Sequence, residues 1–322
     1  MRAGPILAAL MLLLASQASA QDARGVGPAA QDDPGTTLDE IVVTGRRLDQ
    51  AVQQYVETLS APARMRGLAR WDSEICVDVV NFQPAIRAEI AGRIRDVATA
   101  LEVPVEAEGC EPNVVVLATD DGPALADAMV DRFMSRFFRF GSTRMNRGPA
   151  ALEAFRRSDA PVRWWHVSLP VNAATGQPAV SLFQGRPTSM PCHSRSTATK
   201  DITAAGLGGS RTAAGCNAVT DRIIGLWVVV DVNASSGLSA SQLADYLAFL
   251  TMAQVDPEAD MSSFDTVMNL FDAPGAVDGI TAWDETYLVS LYSGGNERID
   301  ASEQAARMVG SLSAPSDTPP AP

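Results

Sequence analysis

The hydrophobic pattern of the chain centres on residues 223–252. Ile223, Ile224, Leu226, Trp227, Val228, Val229, Val230 and Val232 form a nearly continuous apolar run, Asn233 to Gly237 break it, and Leu243, Leu247, Leu250 and Met252 then recur at helical spacing. A run apolar at consecutive positions predicts a strand buried on both faces, and the three-and-four spacing after it predicts a core helix over Ser239–Gln254. Upstream the alternation occurs twice more. Ile75–Val80 predicts a strand, followed by a helix over Pro84–Leu101 with Pro84 in its first turn and Ile86, Ile90, Ile94, Val97 and Leu101 on one face. Asn113–Asp120 predicts a second strand and Pro123–Phe138 a second helix, carrying Leu125, Met129, Phe133 and Phe137. Strands alternating with helices at this spacing imply an α/β (α+β) fold: a mixed, mostly parallel sheet with helices packed on it.

The flanks and the middle follow other patterns. Residues 1–20 have a basic Arg2, an apolar stretch from Ile6 to Leu14 and an Ala18-Ser19-Ala20 ending, which predicts a signal peptide too short to serve as a spanning helix. Residues 21–37 lack apolar periodicity and read as a disordered linker. Leu48, Val52, Tyr55, Val56 and Leu59 suggest a short amphipathic helix stopped by Pro62. The compact domain is expected over residues 71–293, with 294–322 a frayed tail apart from a helical stretch at Ala301–Met308. Val162–Leu169 alternates, with Arg163, Trp165 and Val167 on one face and Trp164, His166 and Ser168 on the other. Val180–Phe183 suggests a hairpin arm, and 193–215 a Ser, Thr, Ala and Gly loop. Within that loop, Gly208-Gly209-Ser210-Arg211 lacks the lysine of a phosphate-binding loop and is no nucleophile elbow.

Charge narrows the partners. A formal net charge of −13 argues against nucleic acid and against anionic membrane surfaces. No further run reaches membrane length, so no transmembrane span is expected in the mature chain, which is placed in the periplasm or outside the cell. There Cys76, Cys110, Cys192 and Cys216 are expected in disulfides. Three connectivities are open; Cys76–Cys110 with Cys192–Cys216 is favoured because each pair flanks one supersecondary unit. Only His166 and His193 could supplement the thiols at a zinc site, and too few partners stand near Cys192-His193 in sequence to complete one, so no metal and no cofactor is expected.

Candidate chemistry is sparse. His166, between Trp165 and Val167, is either a base or ligand, or a hydrogen-bonded histidine of a half-buried strand. Asp120 and Asp121 stand at the carboxyl end of a strand, where open α/β sheets bind ligands, but Asp121-Gly122 is also ordinary turn chemistry. Asp256, Glu258 and Asp260 alternate as calcium-binding oxygens would, without the central glycine and closing glutamate of a calcium loop, so a solvated acidic loop is the other reading. Asp284, three residues after Thr281, fits helix capping.

Two resemblances attach to these residues. Leu38-Asp39-Glu40-Ile41-Val42-Val43-Thr44-Gly45-Arg46-Arg47 resembles the TonB box of alphaproteobacterial TonB-dependent receptors, an extended peptide that pairs with TonB by strand addition. The likeness implies TonB as a partner of residues 38–47; the segment could equally dock as a strand on the domain's own sheet edge. Over residues 71–293 the element order is similar to that of zincin metallopeptidases. Ser262–Phe271 resembles the segment carrying their methionine turn, and Gly279–Tyr292 their last helix. A zincin needs His-Glu-x-x-His on its central helix, because two imidazoles one turn apart hold one zinc and the glutamate activates its water. At the matching positions this chain has Ala244, Asp245 and Ala248. Methyl groups coordinate nothing, so Asp245 is expected to be a solvated or capping carboxylate. The resemblance implies a non-catalytic binding or scaffolding domain that engages another envelope component. A hydrolase of another class, assembled from His166 or His193 with Asp120 and Asp121, and a TonB-interacting accessory protein are the alternatives.

Overall fold

The computed structural model describes residues 36–63, 66–134, 147–173, 176, 219–293 and 299–313, with residues 36–47 described by backbone alone. The expected signal peptide, the linker up to Gly35, the 180–183 hairpin arm, His193, the 193–215 loop and the Cys192–Cys216 pair lie outside these residues. The chain divides into two units, Met1–Val43 and Thr44–Pro322. Of the first unit only the helical backbone of 36–43 is described.

Among the described residues four strands make one sheet in the order β1-β2-β4-β3, with β1 at Val77–Val80, β2 at Val114–Thr119, β3 at Val162–Asn172 and β4 at Val219–Asp231. β1 and β2 run parallel, as do β2 and β4; β3 runs antiparallel to β4. The mostly parallel α/β architecture expected from the patterning is therefore present, with its one reversed strand next to β4. Helices α1 (Thr36–Leu59), α2 (Pro84–Ala100), α3 (Gly122–Phe133), α4 (Pro149–Arg157), α5 (Ala240–Met252), α6 (Ala282–Tyr292) and α7 (Ala301–Ser313) complete the described elements.

The sheet is covered on both faces, which is why its strands read as apolar runs. On one face α2 and α5 pack over Val79, Val114, Val116, Trp164, Leu226, Val228 and Val230. α5 is nearly all buried, from Leu243 to Met252, and starts at a capping box in which Ser239 and Gln242 exchange hydrogen bonds. On the other face α3 and α4 cover Trp165, Val167 and Val229 with Ala126, Met129, Val130 and Phe155. The expected two faces of β3 are the two faces found.

Three elements depart from expectation. The amphipathic helix at 48–59 is part of a longer one, and residues 38–47, expected to be extended, have helical backbone in α1. Val52, Tyr55, Val56 and Leu59 are fully buried and fix the C-terminal half of α1, and β-branched residues upstream oppose helical continuation by only a few tenths of a kcal/mol each. The core also reaches past 71–293 at both ends, through these α1 residues and through Ile299, Ala305 and Met308. α4 has no counterpart in the sequence reading.

Asp284 joins α1, α6 and the turn before Val267. Its carboxylate accepts from the Tyr55 hydroxyl (2.8 Å), the Thr266 hydroxyl (2.6 Å), the Val267 amide (2.7 Å), and the amide and hydroxyl of Thr281 (both 3.0 Å). The capping role expected of it holds, since Thr281 and Asp284 form a capping box. Burial raises its pKa above the ordinary carboxylate value, while the donors from Thr266, Thr281, Val267 and Tyr55 pull it back.

Candidate functional site

β3 ends the sheet among the described residues, and its main-chain hydrogen bonds have a definite phase. Asp231 donates its amide to the Pro161 carbonyl at 2.8 Å. Antiparallel pairs alternate, so with Pro161 turned toward β4, Arg163, Trp165 and Val167 also turn toward it. The amides and carbonyls of Val162, Trp164 and His166 therefore face away from β4, up to the β-bulge between Val167 and Ser168. Beyond that bulge the Ser168 carbonyl accepts from Arg66 Nη1 at 3.0 Å. No main-chain partner for Val162, Trp164 or His166 on that side occurs among the described residues.

A cleft of about 530 Å³ follows this edge. Ala150, Ala151, Ala154 and Phe155 of α4 form one wall, and Gln254, Val255, Pro257 and Glu258 after α5 form the other. The short side chains of Ala150, Ala151 and Ala154 leave space between α4 and the strand. The opposite wall is pinned by hydrogen bonds: Trp164 donates from Nε1 to the Val255 carbonyl (3.1 Å), Gln254 donates from Nε2 to the Ser168 hydroxyl (3.3 Å), and the Asp256 amide donates to the Leu59 carbonyl (2.8 Å).

His166 lines the cleft with its ring engaged. Nε2 lies 3.1 Å from the Leu250 carbonyl, which only accepts, so the neutral ring carries its proton there. Burial depresses its pKa to about 4; the Leu250 carbonyl works against that shift, and nearby Arg147 adds to it. The structure thus gives the hydrogen-bonded, half-buried histidine. His166 pairs with Leu226, which faces Val114 at the start of β2, whereas Asp120 and Asp121 follow Thr119 at its end. At about 3.3 Å per residue these groups stand roughly 20 Å or more apart, too far for proton transfer between them. Asp121 instead caps α3, accepting from the Ala124 amide at 2.9 Å, and Asp120 is exposed.

The positions that match zincin ligands turn inward. Ala244 and Ala248 are 1% and 0% exposed and sit in the core under the sheet. Asp245 does not cap α5, whose cap is Ser239: with its side chain 17% exposed, it forms an ion pair with Arg93 of α2, and Gly279 packs against the same carboxylate. Two of the three carboxylates at 256–260 are held by donors. Asp256 accepts from Arg147 Nη2 at 2.7 Å and from the Glu258 amide at 3.1 Å, and Asp260 from the Ser262 hydroxyl at 2.7 Å. No cluster of three or more His, Cys, Asp or Glu side chains suited to a metal occurs among the described residues. Cys76 and Cys110 form the expected disulfide, which joins the residue before β1 to the loop before β2.

The cleft's cations were not singled out from the sequence. Among the described residues Arg147, Arg157 and Arg163 line it, opposed by one lining carboxylate, Glu258. Arg147 precedes α4, Arg157 closes it and Arg163 lies on β3; the alanine-rich pattern of α4 offers little hydrophobic contrast, so nothing periodic marked the segment. Comparison of the chain with protein families, with curated proteins and with solved structures gives no match. No helix among the described residues is long and apolar enough to cross a membrane.

Proposed function

We propose that the protein is a non-catalytic exported domain that binds an extended segment of another envelope protein by adding it as a strand to β3. The observation that carries this reading is the row of outward main-chain groups at Val162, Trp164 and His166 beside a cleft with preformed walls. An unpaired edge lends its amides and carbonyls to an incoming strand, and the walls select among side chains. The element order, with α5 following β4, and the alanines at the would-be ligand positions support a metallopeptidase-like scaffold that has kept a peptide cleft without the metal chemistry. The short signal-peptide-like leader supports export.

The test is amide hydrogen exchange on the full-length protein, using peptides tiled across envelope proteins that co-purify with it. A bound peptide is expected to slow exchange at Val162, Trp164 and His166 at least tenfold, and N-methylation of its central amides to abolish the effect. Protection elsewhere with these three amides unchanged would end the edge-docking reading.

A further inference from the structure

The cleft's charge contrasts with that of the chain. A protein of net charge −13 lines this groove, among the described residues, with three arginines and one glutamate. Arg163 contributes least to the contrast: it lies 3% exposed beneath the strand, its Nη2 donates to the Ala160 carbonyl at 3.3 Å, and Asp231, Asp159 and Asp121 offset its charge. Arg147 and Arg157 remain. Arg147 uses Nη2 on Asp256 and keeps further N–H groups, since a guanidinium carries five. Among the described residues Arg157 pairs with Glu153, with the two side chains 69% and 62% exposed, and such pairs exchange at almost no cost.

The two arginines mark the two ends of the groove. Arg147 lies close enough to His166 to depress its pKa. Arg157 precedes Ser158, whose carbonyl accepts from Arg163, next to Val162. Val162 and His166 are four residues apart on β3, a span of about 13 Å that an added strand covers with residues i and i+4 on one face. Between the arginines the α4 wall is Ala150, Ala151 and Ala154, which leaves room for a larger side chain at i+2.

Building on the strand-addition reading, we infer that the segment bound at β3 is acidic, with carboxylates four residues apart that pair with Arg147 and Arg157 and an apolar residue midway against the α4 alanines.

Three blocked peptides, Glu-Thr-Val-Thr-Glu, Gln-Thr-Val-Thr-Gln and Lys-Thr-Val-Thr-Lys, each with three flanking Thr/Ser residues at either end, are titrated into the full-length protein. Affinity is followed by calorimetry and β3 protection by hydrogen exchange. The acidic peptide is expected to bind about tenfold tighter than the neutral one and the basic peptide weakest, with the acidic advantage shrinking as salt rises. In the Arg147→Gln/Arg157→Gln variant the acidic and neutral peptides should bind alike; because the neutral peptide should still protect β3 in that variant, lost folding would be recognised. If acidic and neutral peptides protect β3 equally in the wild-type protein, the acidic inference fails and edge docking stands. If no peptide protects β3, both fall.

Discussion

His166 shows how burial decides what a side chain can do. Its pKa of about 4 leaves it neutral in the folded protein over most of the acid range, while in the unfolded chain it titrates near 6.5. Below pH 6.5 the unfolded state therefore takes up a proton that the folded state refuses. Its contribution to stability is intact above pH 6.5 and is lost as pH falls toward 4, by roughly 3 kcal/mol over that window. Denaturant unfolding at pH 7.5, 5.5 and 4.5 should show this loss in the wild type, and a smaller one in His166→Gln, whose amide can still donate to Leu250. Equal pH dependence in the two proteins would mean the ring is solvated. The residue-scale pairings were the least visible in the sequence. Asp245 and Arg93 are 152 positions apart, and Asp284 and Tyr55 are 229 apart, so no local pattern announces either contact.

At the scale of elements, β4 and α5 were legible because a continuous apolar run and a three-and-four repeat admit few other readings. α4 was not, because alanine contributes neither strong hydrophobic contrast nor a chemical signature, yet it supplies one wall of the cleft. The extent of α1 was missed because Ile41, Val42 and Val43 favour strands, whereas the buried residues downstream favour continuing the helix. α5 carries its own prediction. Replacing Ala244 and Ala248 by histidine would recreate the spacing of a zinc site in a core with no room for imidazoles. The double variant should lose about 2–6 kcal/mol and gain no zinc-dependent rise in Tm. Stoichiometric zinc with restored stability would show that this helix face can open to a metal.

At the scale of the molecule, the mostly parallel sheet, both packed faces and the Cys76–Cys110 link agree with what the patterning implied, while the cleft depends on the reversed strand β3 and on two walls far apart in sequence. The disulfide closes a loop of 34 residues that contains α2. Loop-closure entropy assigns it about 4 kcal/mol, acting through the unfolded chain. Cys76→Ser/Cys110→Ser should therefore lower the unfolding free energy by that order at unchanged pH, with the helical content by circular dichroism preserved below the transition. A loss of under 1 kcal/mol would mean the unfolded chain already holds these segments close.

The two layers over the sheet differ in depth. The α2 and α5 side continues into α1, α6 and α7, whereas among the described residues the α3 and α4 side is a small cluster around Phe155 and Trp165. Regions with fewer buried contacts open at lower free energy than the global transition. One wall of the cleft thus belongs to the part of the protein that detaches most readily, and the other to the part that detaches last. Mild heating or low denaturant would then erode ligand affinity before the fold itself melts, so the temperature at which the protein stops holding a partner would lie below its Tm.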